Sequence, residues 1–151
     1  MNTRVDRMRY QQNQKSYNIG LLSFLFYCIY IANTLDYIPK TMSLGIEILI
    51  SLAIFMGLFL GIEGARNYSV KASRNIILLG ALIILKVFWH PLVLWNMEMT
   101  SQALWSGGTV IISGVFLVLS GIVGLRRGLA LEEYNRTHPF PAETGTSREK
   151  E

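Results

Sequence analysis

Charge is what this sequence has least of. Only 16% of its 151 residues are Asp, Glu, Lys or Arg, against an apolar share of 51%. A soluble domain carries roughly 25% charge. The apolar share excludes disorder for most of the chain, because disordered chains are poor in Leu, Ile and Phe. Cysteine occurs once, as Cys28, which excludes an internal disulfide scaffold. Histidine occurs twice, as His90 and His138, and the second lies in the C-terminal tail. A bis-histidine haem within one chain is thereby excluded. The chain also lacks H-E-x-x-H, G-x-S-x-G, a P-loop and C-x-x-C. Ser51, Ser113 and Ser120 have no base beside them in sequence. No enzyme is expected, and no metal or other cofactor.

The apolar residues that are present fall into four blocks. They run over residues 18–38, 44–62, 76–95 and 104–125, each 19 to 22 residues long. A helix needs about 20 apolar residues to cross a hydrocarbon core of about 30 Å. A soluble core helix would interleave polar residues at helical spacing, and these blocks have almost none. Barrel strands need strict alternation over about 10 residues, which is absent. Backbone polar groups in lipid must satisfy one another, which leaves helix. The expected fold is all-α: a polytopic membrane protein built as a four-transmembrane-helix bundle with short loops. The third block is the most polar, with Lys86, His90 and Pro91. The first follows a basic leader, but it is long and no small-x-small site follows it, so it reads as an uncleaved first span.

Basic residues orient the bundle. Four lie in the tail at 1–17, one (Lys40) between the first two blocks, three (Arg66, Lys71, Arg74) between the second and third, none between the third and fourth, and five in the tail at 126–151. Twelve thus fall on one side and one on the other. The positive-inside rule places both termini in the cytoplasm. The net charge of +4 and pI near 9.4 are then explained by membrane-flanking anchors facing anionic headgroups, not by nucleic acid. The short loops and compact chain point to a bacterial inner membrane. The C-terminal tail is expected to continue as helix from Gly128 to Asn135 and to be disordered after about 136, where Pro, Thr and charge dominate.

The fourth block has the most regular pattern. Gly107, Gly114, Gly121 and Gly128 recur every seven residues, and Ser106, Ser113 and Ser120 precede the first three. Seven residues is nearly two helical turns, so these small side chains share a stripe. Lipid offers no hydrophobic drive for helix association, and small residues let backbones approach. A sustained seven-residue period favours a left-handed crossing near +20°. The stripe is expected to be a packing seam, against another span or another chain. Gly57 and Gly61 form a second small patch, a G-x-x-x-G in the second block.

Two ionisable groups remain inside the blocks. Lys86 lies nine residues from Trp95 and ten from Ile76, roughly 13–15 Å from either end. That is too deep for a lysine stem to reach the headgroups. It should face the bundle and have a partner. His90 is four residues on, on the same face, and Pro91 frees a backbone carbonyl. Glu47 is the best anionic partner. Its depth matches that of His90, with Lys86 about 9 Å deeper, so Glu47 to His90 is the easier reach. Asp36 and Asn33 are the remaining polar groups at that end. Glu47, Lys86 and His90 are the candidate intramembrane polar site.

Two functions follow from these features. The first is a non-enzymatic interaction, assembly or accessory subunit that docks a membrane protein or a second copy of itself through the Gly/Ser seam. The second is a small oligomeric transporter or channel that uses the polar site. The expected partners are the lipid bilayer together with a homo-oligomer or a membrane-protein partner, and no nucleic acid.

Overall fold

The computed structural model describes residues 3–35, 42–89 and 101–138, with the backbone alone at 3, 4, 6, 42, 43, 89, 102 and 103. All regular structure among them is helical: α1 (Thr3–Met8), α2 (Gln14–Thr34), α3 (Met42–Arg66), α4 (Val70–Trp89) and α5 (Ser101–Thr137). The four long helices outrun the apolar blocks at their polar ends, because a polar residue beside the headgroups continues a helix as readily as it ends one. Helix α5 runs unbroken for 37 residues, about 55 Å at the usual rise. That exceeds a hydrocarbon core of about 30 Å, so its last turns extend beyond any membrane-embedded part.

Local signals set the ends. Asn13 caps α2, its side chain accepting from Ser16 N at 3.4 Å. Helix α3 closes with Tyr68 N donating to Ala65 O at 3.2 Å and Ser69 N donating to Gly64 O at 3.0 Å. This is the double bond pattern of a Schellman cap. Its left-handed position, usually glycine, is held by Tyr68 with φ of 59°. The tight turn brings α4 back antiparallel to α3. Ser69 Oγ then accepts from Ala72 N at 3.2 Å at the start of α4.

Each long helix packs on its antiparallel neighbours: α2 on α3 and α5, and α4 on α3 and α5. The core includes Tyr27, Leu58, Ile76, Ile83 and Leu117. Around it the usual distribution is inverted. The buried set includes Ser16, Ser23, Ser73, Ser113 and Ser120, while Leu25, Leu49, Phe59, Leu60, Leu82 and Val115 face outward. A water-soluble bundle would hide those large apolar side chains, whereas lipid solvates them. The arrangement is consistent with membrane embedding.

Three of the long helices are long and apolar enough to cross a membrane: Gln14–Thr34, Leu44–Arg66 and Leu104–Thr137. Helix α4 is not among them. It carries Lys71, Arg74 and Lys86 within 20 residues, and the apolar residues that would continue it to Trp95 lie outside the described residues.

Candidate polar site and helix seams

The buried charge is a cross-helix pair. Lys86 on α4 forms an ion pair with Glu47 Oε1 on α3. Lys86 is 8% exposed and Glu47 4%. One turn along α3, Ser51 Oγ donates to the same carboxylate oxygen at 3.4 Å. From α2, the Tyr27 hydroxyl accepts from Lys86 Nζ at 3.5 Å. The ammonium also stands 5.2 Å from the Tyr30 ring centroid and 5.7 Å from that of Tyr27. Both are within cation–π range. Three helices thus supply one cation, one carboxylate, two hydroxyls and two aromatic faces. A lone charge here would carry a desolvation penalty of several kcal/mol, which a well-partnered pair offsets. The aromatic wall is continuous with the core, since Phe55 meets Tyr27 and Phe24 edge-to-face at 5.2 and 5.3 Å.

Glu47 and Lys86 therefore meet directly. The two side chains bridge the depth difference that makes His90 the easier partner by helical rise alone. His90 and Asp36 lie outside the described residues. Tyr27, Tyr30 and Ser51 are the members that sequence reasoning missed. A signal for the tyrosines exists: Asn13, Ser16, Gly20, Ser23, Tyr27, Tyr30 and Thr34 alternate at spacings of three and four, which is one face of a helix. All seven are buried. Ser51 stands four residues after Glu47, the spacing of neighbours on a helix. Cys28 is half-buried. Among the described residues, no three His, Cys, Asp or Glu side chains gather as a metal site.

The small residues of the fourth block divide between two neighbours. The serines face α2. Ser16 Oγ donates to Ser120 O at 2.9 Å, and Ser120 Oγ donates to Ser16 O at 2.7 Å. Seven residues along, Ser23 Oγ donates to Ser113 O at 2.8 Å, and Ser113 Oγ donates back to Ser23 O at 2.9 Å. The glycines face α4 and the turn that leads into it. A Cβ at Gly114 would lie 2.8 Å from Gly80 O, one at Gly121 2.9 Å from Ser73 O, and one at Gly128 2.8 Å from Tyr68 O. Successive residues on a helix point about 100° apart, so the Ser and Gly rows address different helices. Gly107 is the exception, because no described atom lies within 4 Å of an added Cβ. Ser106 is buried, with its carbonyl accepting from Thr109 Oγ1 at 2.8 Å. Gly57 and Gly61 face α4 through Leu79 and Ile76.

At the end of the bundle that carries the chain termini, Asn13 ties three helices together. Its N–H donates to Arg66 O at 2.8 Å and its Oδ1 accepts from Arg127 Nη1 at 2.9 Å. Arg66 in turn pairs with Glu63 at 3.2 Å, three residues before it. Arg9, just beyond α1, donates to Asn135 Oδ1 at 2.7 Å and lies over the Tyr134 ring at 4.8 Å, strapping the N-terminal segment to the far end of α5.

No protein-family model matches the chain, and neither a curated protein nor a solved structure is detectably similar to it.

Proposed function

We propose that this chain is a four-span integral membrane protein with both termini in the cytoplasm of a bacterial cell. On this proposal it acts without catalysis, as an accessory or assembly subunit. The supporting observation is where its intramembrane polar groups go. Glu47, Lys86, Tyr27 and Ser51 satisfy one another, and the serines of α2 and α5 bond reciprocally. That chemistry holds helices together. Most of the Gly/Ser seam is occupied by α2 and α4, so a membrane partner or second copy meets the outer apolar surface instead. Crossing by α4 is supported by the run Ile76–Trp95 and by Lys71 and Arg74 at its cytoplasmic edge.

The test is extraction in mild detergent with crosslinking beforehand in the membrane. The protein is expected to run with a companion or as a homo-oligomer. The double variant Glu47→Gln/Lys86→Met should keep that assembly, because it removes both charges together. A second reading, transport, is favoured by the buried Lys86–Glu47 pair with Tyr27 and Ser51 hydroxyls on it, since such groups mark proton and ion paths. Ion or proton flux in proteoliposomes that vanishes in the double variant, with no companion protein recovered, would replace the first reading with the second.

A further inference from the structure

A cavity of about 480 Å³ opens at the end of the bundle that carries the chain termini. Four parts of the chain enclose it: α1 with the link that follows it, the first turn of α2, the α3–α4 turn and the α5 segment around Gly128. Its charged lining residues are Arg7, Lys15, Arg126 and Arg127, with no carboxylate among them. Glu63, at the end of α3, is engaged with Arg66. Among the described residues, Arg7, Lys15 and Arg126 have no ion-pair partner. Arg127 is held in place by Asn13. Four cations around one concavity repel one another unless an anion enters.

A second observation comes from the backbone. Tyr68 lines the same cavity and is the residue in the left-handed region at φ 59°. Glycine would occupy that cap position without strain. A bulky residue there is disfavoured, and such outliers gather at ligand sites. The cap thus places a tyrosine, not a glycine, at the cavity wall.

We propose that this cavity binds a phosphate-bearing anion, held by the Arg126 and Arg127 guanidinium groups with Lys15 and Arg7 closing over it. Guanidinium forks match phosphate oxygens in two-point geometry. The site lies within a turn or two of the apolar segments of α2 and α5, which is headgroup level. An anionic phospholipid of the same leaflet and a free phosphate compound present the same chemistry. Binding at this site does not depend on which side of the membrane it faces, nor on the subunit or transport readings.

The full-length protein, delipidated in a neutral detergent, provides the test through its thermal unfolding midpoint. Phosphatidylglycerol added in micelles is expected to raise the midpoint, and phosphatidylcholine is not. If inorganic phosphate alone reproduces the rise, the site stands and its ligand is a soluble phosphate. Lys15→Gln/Arg126→Gln removes two exposed cavity cations without touching a described hydrogen bond. It should weaken the response about tenfold without lowering the unliganded midpoint, which the relieved repulsion can only raise. Tyr68→Gly should weaken binding while leaving the cap intact. Lys71→Gln/Arg74→Gln, an equal charge change outside the cavity, should bind as the parent does. Equal responses to the two lipids, or equal losses in both double variants, would overturn the proposal and leave diffuse surface attraction.

Discussion

At the residue scale, Gly114 and Gly107 show how little a shared pattern says about a shared environment. They stand seven apart on one stripe of α5, yet a Cβ at Gly114 would run into Ile84 Cγ1 and lie 2.8 Å from the Gly80 carbonyl, while one at Gly107 meets no described atom within 4 Å. The close approach at Gly114 brings two backbones together where any side chain would force them apart. Gly114→Ala is therefore expected to destabilise the bundle by about 1–3 kcal/mol, the usual range for overpacking. Gly107→Ala should be neutral or stabilising by up to about 1 kcal/mol, because alanine is the better helix former. Unfolding of the two variants in the same detergent separates these outcomes. A matched loss at both positions would show that Gly107 also meets a partner. Breaking the Glu47–Lys86 pair is a larger change. Lys86→Met alone strands a buried carboxylate and should cost about 3–5 kcal/mol, most of it recovered when Glu47→Gln is added. A double-mutant cycle on unfolding midpoints measures that coupling.

At the element scale, α2 is held by its polar side. Its outward face carries Leu21, Leu22 and Leu25, and its inward face carries Ser16, Gly20, Ser23, Tyr27, Tyr30 and Thr34. Lipid solvates leucine as well as a protein core does, so burying Leu gains little there, whereas a hydroxyl must find a partner. The reciprocal Ser16–Ser120 and Ser23–Ser113 bonds are that partnership, repeated at one heptad. Replacing all four serines with alanine keeps the close packing and removes only the bonds. At about 0.6 kcal/mol for each interhelical bond, the loss should be roughly 2–3 kcal/mol. A change below about 0.5 kcal/mol in reversible unfolding would show that packing alone holds α2 to α5. The serines of α5 are apparent from their spacing, and Ser16 and Ser23 share the small and polar face of α2, but only the assembled bundle matches each to its partner.

At the scale of the whole molecule, the proposed four-span topology turns on α4. Its polar load is concentrated at its start, in Lys71 and Arg74, and at Lys86, which α3 and α2 neutralise. A charge already paired inside the bundle is not presented to lipid, so the helix can cross at a lower cost than its composition implies. Substituted cysteines in a Cys28→Ser background test this in intact cells. Labels at Asn67 and Gln11 should react with an impermeant maleimide only after lysis, and labels at Thr41 and Met99 without it. If Asn67 and Met99 react on the same side, α4 does not cross and the four-span topology falls.

Much of the fold was legible because composition responds to solvent. Four apolar blocks, expelled charge and a one-sided distribution of basic residues follow from the energetics of placing each residue in lipid or water, and those are properties of the residue alone. The periodic glycines and serines of α5 were legible for the same reason, as a stripe that some helix must meet. Which helix it meets was not. The division of that stripe between α2 and α4, the direct meeting of Lys86 and Glu47, and the enclosing faces of Tyr27 and Tyr30 depend on where other helices stand. Distance between side chains on different helices is a property of the assembled bundle, and only the tertiary structure decides it.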